Sequence, residues 1–265
     1  MRQVRVYMMC DQEGTAGMVL FENPDDHSDW NAAYRRRIMM LQTLEVKACI
    51  EGLMAAGATD IVVNDAHGTG YNIQVEELEG PVRVIHGNQR HAEFWTSRLD
   101  ESFDALCYMG GHPMAGTEKG ILPHTRWEVN GISLGEVGMA MTLGGWYGVP
   151  TVMVSGDKAV GEEVAALSPD TEMAVVKEAL APDIAIEHIP VNAREMIREA
   201  AEKGLRKVGS IAPTRIEPPY DLHLGSIHVT GDDYYQVVHD ALIGGYYHYG
   251  SRFRVEGHEW VKADD

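Results

Sequence analysis

Four short apolar runs in this chain each break off into a polar cluster, and that repeated design constrains the fold more than any other feature. Val4 to Cys10 runs into Asp11 and Glu13, and Ile61 to Val63 into Asn64-Asp65-Ala66-His67. Ala105 to Met109 runs into Gly110-Gly111-His112, and Thr151 to Ser155 into Gly156-Asp157. Short continuous apolar runs bounded by turn formers read as strands buried on both faces. Between the first two lies a helical pattern from Asn31 to Ala56, ending at Gly57 in the manner of a glycine cap. Strand, long helix and strand make a βαβ unit, so the sheet is parallel. The expected fold class is α/β: a central, mostly parallel sheet flanked by helices, with a smaller C-terminal α+β domain.

In open parallel sheets ligands gather beyond the carboxyl ends of the strands, where all four polar clusters fall. Val82 to Ile85 reads as a further strand and Asn88 to Leu99 as a short helical or irregular segment, with His86 and His91 as loop residues. Pro113 to Gly120 is rich in turn formers and reads as a loop over the site that delivers His124. Helical periodicity resumes at Ser133-Leu134-Gly135-Glu136, and the chain turns at Gly148-Val149-Pro150. Beyond Asp157 come a helix over Glu162 to Leu167, a strand around Met173 to Val176, and a helix from Asn192 to Lys203 with capping-box spacing to Glu195. A Pro-containing extended piece over Ile211 to Leu224, a strand at Ser226 to Thr230 and a helix from Asp232 toward Tyr249 follow. The expected division is a metal-binding catalytic domain over 1–180 and a smaller, reduced domain over 181–265 suited to oligomerisation.

Composition narrows the partners. Forty acidic against 22 basic side chains give a formal charge of -18, which disfavours a nucleic-acid backbone or an anionic membrane. No 18-residue apolar run occurs, and the opening residues lack the pattern of a secretory signal, so a cytoplasmic protein is expected. Cys10, Cys49 and Cys107 each sit inside an apolar segment and read as buried free thiols.

Asp11 and Glu13 are two residues apart on one strand end, so they face the same side. Two like charges there are costly without something positive between them, and a metal ion is the obvious candidate. His67 and His112 at neighbouring strand ends, and Glu136 on the next helix, complete three carboxylates and two imidazoles. Such a donor set without thiolate suits zinc or a similar divalent ion. Three negative charges against the four positive charges of two such ions leave one for a bridging hydroxide, which favours two metals. Each member also has a plainer reading: Asp11 as a turn cap, His67 and His124 as loop residues, Glu136 as the partner of Ser133 in a capping box. Convergence at one sheet edge separates the two readings.

Cys10-Asp11-Gln12-Glu13-Gly14-Thr15-Ala16-Gly17 resembles the Asp-x-Glu-Gly opening of the M55 peptidase family, the zinc D-aminopeptidases. Asn64-Asp65-Ala66-His67-Gly68, Gly110-Gly111-His112, Gly135-Glu136-Val137-Gly138, Gly156-Asp157 and Val176-Lys177 are similar to its further motifs, in the same order. The resemblance implies a dinuclear zinc site of Asp11, Glu13, His67, His112 and Glu136, bridged by Asp11, with His124 as the catalytic residue that is not a ligand. It also implies hydrolysis of short peptides carrying N-terminal D-residues, and a ring-shaped homo-oligomer, a decamer, with sites facing an internal channel. His124 can serve as acid or base, oxyanion stabiliser or nucleophile. Asp157 and Lys177 are further candidates for the pocket, and Asp65 for orienting His67. The segment between Gly120 and Glu136 and the tail around Tyr220 to Thr230 are shorter than the family's pattern. The competing functions are a dinuclear hydrolase of another amide or ester, and a non-catalytic metal-binding subunit.

Overall fold

The computed structural model describes residues 3–23, 25–87, 95–245, 253–256 and 259–262. In chain order the elements are β1 (Arg5–Cys10), α1 (Asp29–Ala55), β2 (Asp60–Asp65), β3 (Val82–Ile85), β4 (Ala105–Gly111), β5 (Trp127–Val129), β6 (Ile132–Leu134) and α2 (Glu136–Trp146). Then follow β7 (Thr151–Asp157), α3 (Lys158–Leu167), β8 (Glu172–Ala181), β9 (Ile184–Glu187), α4 (Pro190–Arg206), β10 (Tyr220–Leu224), β11 (Ile227–Gly231) and α5 (Tyr234–Gly245). A two-stranded sheet of β12 (Phe253–Glu256) and β13 (Glu259–Lys262) ends the chain.

The main sheet has the order β3-β2-β1-β4-β7-β8-β9, parallel throughout except for β9. From β1 the chain winds outward to β2 and β3, then returns to β4 on the other side of β1 and continues to β7. Winding therefore reverses between β1 and β4, and connections leaving in opposite directions open a crevice beyond their carboxyl ends. Asp11 and Glu13 follow β1 and His112 follows β4, so the sequence-predicted residues stand at that crevice.

Helices cover both faces because the strands are apolar on both. On one face α1 and α4 pack Val46, Leu53, Ile197 and Ala201 against Val6, Met8 and Val63. On the other, α2 and α3 pack Val137, Met141, Val160 and Val164 against Tyr7, Met9 and Tyr108. Helix α1 starts at Ser28, whose hydroxyl accepts from Asn31 N at 3.2 Å, and ends before Gly57, whose φ of +101° suits glycine. All three cysteines are free and buried, as expected. Among the described residues, no helix is long and apolar enough to cross a membrane.

A second sheet, β11-β10-β5-β6, packs on α2 and α5 through Trp127, Leu134, Leu143, Leu222 and Val238. It joins strands from both sides of residue 180. The boundary at 180/181 falls at the β8–β9 hairpin, and β9 and α4 after it complete the main layer. Local composition carries no sign of these remote pairings.

Several helix starts differ from the sequence reading; α3 begins at Lys158 rather than Glu162, because Asp157 caps it. Residues 127–134 form a hairpin around Asn130-Gly131, both at left-handed φ (51° and 77°). Helix α2 consequently begins at Glu136 with Gly135 as its cap, and Ser133 Oγ instead accepts from the Arg126 guanidinium at 2.7 Å. The capping box of Ser133 and Glu136 therefore does not form, which removes the plain reading of Glu136. Helix α4 begins at Pro190, whose missing N–H suits a first turn, while Glu195 pairs with Arg198 rather than capping. His86 lies 3.8 Å from Asp65, whereas His91 lies outside the described residues.

Candidate metal centre

The ends of β1 and β4 are stitched together before any side chain is considered. Asp11 N donates to Met109 O at 2.9 Å and Gly14 N to Gly110 O at 2.8 Å. A Cβ on Gly14 would stand 2.2 Å from Gly111 O, so only glycine allows this approach.

Above this seam the six sequence-predicted residues converge in two groups, Asp11 with Glu13 and His67, and His112 with His124 and Glu136. His67 Nδ1 is 3.0 Å from Asp11 Oδ1 and 3.1 Å from Glu13 Oε2. His112 Nε2 is 3.4 Å from Asp11 Oδ2 and 3.7 Å from Glu136 Oε1. His124 Nε2 is 3.7 Å from Glu13 Oε1 and 3.8 Å from Glu136 Oε1, and its ring stacks on that of His112 at 3.7 Å. Asp11 thus turns one oxygen to each group, and Tyr108 OH donates to the second of them at 3.2 Å.

Backbone carbonyls fix two of the rings. His112 Nδ1 donates to Pro113 O at 3.0 Å and His124 Nδ1 to Leu122 O at 2.9 Å. In the neutral imidazole this leaves the Nε2 lone pair facing the carboxylates. Glu13 Oε2 and His112 Nε2 are both buried without a hydrogen-bond partner. A carboxylate oxygen in one group and an imidazole nitrogen in the other, both buried and without a hydrogen bond, are costly unless cations supply their partners.

Titration expresses the same demand. Burial pushes the His67 ring down, but Glu13, Asp11 and Glu22 outweigh it and raise His67 well above its usual range. His112 is likewise raised to about 10, burial being overcome by Glu136, Asp11 and Glu13. Burial pushes Glu13 up, yet the charges of His67 and His112 hold it well below the usual carboxylate range. The donor set draws positive charge and fits divalent ions.

Glu22 was not anticipated. Its Oε1 is 3.8 Å from His67 Nε2, on the ring's far side, and its Oε2 accepts from Arg35 at 3.1 Å. Residues 20–28 have no periodicity, so no local signal marks it. Phe21 meets the His124 ring edge to face at 5.3 Å.

The remaining candidates hold the frame. Lys177 Nζ donates to the carbonyls of Glu13, Thr15 and Met18 at 2.6, 2.8 and 2.6 Å, using all three ammonium protons. Gln42 Nε2 donates to Asp11 O at 2.7 Å, and Glu45 accepts from Ala16 N at 2.9 Å. Burial pushes Glu45 up to about 8 and Lys177 down to about 8, each opposed by the other's charge. Asp157 caps α3 through Val160 N and accepts from Ile121 N at 2.8 Å; Glu163 accepts from Met114 N and Thr117. Asp65 accepts from Asn72 N, Asn72 Nδ2 and Ile73 N, and Asn72 Nδ2 also donates to His67 O, so Asp65 reaches His67 through Asn72.

Comparison with known proteins identifies the family. A D-aminopeptidase of Bacillus subtilis (strain 168) is 27% identical over 223 residues, covering 82% of this chain and 78% of that protein. The fold matches a solved structure, described as the Zn-dependent D-aminopeptidase DppA from Bacillus subtilis, a self-compartmentalizing protease. Its TM-score is 0.82 at 22% identity, over 94% of this chain and 99% of that one. The family model for Peptidase M55, D-aminopeptidase, matches residues 4–238, and the chain belongs to that family.

Proposed function

We propose that this chain is a zinc-dependent aminopeptidase that cleaves short peptides carrying an N-terminal D-residue. Two zinc ions would be held by Asp11, Glu13 and His67 on one side and by Asp11, His112 and Glu136 on the other. The observation that carries this reading is Asp11 itself, whose Oδ1 faces His67 and whose Oδ2 faces His112. Zinc supplies Lewis acidity at such a site, lowering the pKa of a water and polarising a scissile carbonyl. Tyr108 holds the second Asp11 oxygen, and the Pro113 carbonyl keeps His112 Nε2 turned inward. His124 is a third exposed and therefore within reach of substrate. With Nδ1–H held by Leu122 O, its Nε2 can take a proton from the attacking water and return it to the leaving amine. Phe21 walls the His124 side.

The self-compartmentalizing character of the Bacillus subtilis structure supports a homo-oligomer for this chain; a ring of ten subunits is the form that the family resemblance implies. Exposed Leu180, Ile184, Ile186, Ile189 and Val191 provide an apolar surface for such contacts. The net charge of -18 fits a cytoplasmic location. Light scattering on the purified protein measures the subunit count.

Activity is tested by reconstituting metal-free protein with zinc and following D-alanine release from D-Ala-D-Ala beside the L-dipeptide. We expect two zinc ions per chain, and loss of at least one in Asp11→Ala. His124→Ala is expected to keep its zinc and lose about 100-fold or more in kcat. Cleavage of the D-dipeptide that survives chelation, or that is unchanged in His124→Ala, would overturn the reading. Turnover of phosphoesters, lactams or N-acyl substrates instead of the dipeptide would assign the site to another amide or ester.

A further inference from the structure

Strand alternation sends Tyr220 and Leu222 of β10 into the core and Asp221 and His223 outward. On β11, His228 is exposed and stands directly opposite His223 in the register. The turn between them has two residues, Gly225 (φ +60°) and Ser226, and β10 also pairs with β5. The backbone beneath these side chains is therefore fixed from both sides.

The two imidazoles lie parallel, 4.2 Å apart, and point their Nε2 atoms at one carboxylate oxygen. His223 Nε2 is 2.9 Å and His228 Nε2 2.8 Å from Asp221 Oδ1. Glu128 of β5 faces His223 in the register and is exposed, adding negative charge to the same face. None of these residues enters the centre built on the main sheet.

We propose that Asp221, His223 and His228 form a separate metal site for one divalent late transition ion, of which Zn2+, Cu2+ and Ni2+ are the chemical type. Two imidazoles and one carboxylate match the preference of these ions. Ligand atoms around a tetrahedral zinc lie about 3.3 Å apart, given bonds of about 2.0 to 2.2 Å. The present N···O spacings are those of hydrogen bonds, and outward rotation of exposed side chains by a few tenths of an ångström opens them to that value. On binding, each ring gives its Nε2 proton to solvent or shifts it to Nδ1. Water completes the shell. The ion joins β10 to β11 and stiffens the small sheet, independently of any reaction at the main centre.

The test uses the full-length protein with its main centre loaded with zinc and excess metal removed by gel filtration. Calorimetric titration with Zn2+ or Ni2+ is expected to find one further equivalent per chain. His223→Gln and His228→Gln should each weaken this binding by about tenfold or more, Asp221→Asn by less, and the double histidine variant should abolish it. The same ions should raise Tm in the wild type and not in the double variant, whose folding is checked by circular dichroism. Equal stoichiometry and affinity in wild type and double variant would overturn the proposal. So would a further equivalent that is lost on Asp11→Ala but kept in the histidine variants. Peptide hydrolysis by the double variant reports separately on the main centre.

Discussion

The loop after β1 (residues 11–18) and the loop after β4 (residues 112–125) both carry side chains of the candidate centre, but they are held from different directions. The first is tied from beneath. Lys177 binds three of its carbonyls, Gln42 a fourth, and Glu45 one of its amides, all from buried positions. The second is tied from its flank by Asp157 and Glu163, and it turns through Lys119, Leu122 and Thr125 at φ of 58°, 50° and 52°. Non-glycine residues adopt that conformation at some cost. The first loop places Asp11 and Glu13 against a buried polar frame, whereas the second presents a partly exposed His124 by way of strained turns.

The contrast can be broken most forcefully at Lys177. Lys177→Met takes the Nζ donor from three buried carbonyls, of which Thr15 O keeps Met18 N as a second donor, and removes a positive charge that acts on Glu45, for an expected loss of about 4 kcal/mol. Denaturant unfolding measures it, and zinc content should fall with it because Glu13 loses its support. Gly14→Ala acts on the seam between the loops. The new methyl meets Gly111 O, and displacement of backbone on both sides should destabilise by about 3 kcal/mol. In the second loop, Asp157→Ala removes the α3 cap and the acceptor for Ile121 N, an expected loss of about 2 kcal/mol. Its kinetic signature should be a drop in kcat with zinc content unchanged, since it displaces His124 rather than the ligands. Lys119→Gly relieves one left-handed residue on the exposed side, and after the entropic cost of glycine should stabilise by about 0.5 kcal/mol, read as a small rise in Tm. Equal effects of Lys177→Met and Asp157→Ala on zinc content would show that the two loops are not held independently.

Much of the site was legible because the chemistry is local to strand ends. Apolar runs ending in Asp11, Glu13, His67 and His112 needed only the period of a strand and the rule that parallel sheets bind at their carboxyl edge. Glu136 was legible as a residue but not in its setting. Asn130-Gly131 between Trp127-Glu128-Val129 and Ile132-Ser133-Leu134 is a strong hairpin signal, and reading it would have moved the helix start from Ser133 to Glu136. Glu22 gave no signal, since it reaches His67 across an irregular segment. Asp157 and Lys177 stood out by their motifs, yet their work is done through backbone amides and carbonyls 36 and about 160 residues away in the chain.

By itself the sequence determined the parallel α/β class, the polar edge of the sheet and the types of side chain gathered there. Those follow from burial and side-chain periodicity, which act over a few residues. Tertiary structure alone decided that Asp11 divides its oxygens between two histidines, that a lysine rather than a metal secures the loop beneath it, and that strands from both sides of residue 180 share a sheet. Those are pairings between remote segments, and only packing of the whole chain selects among the partners that local chemistry allows.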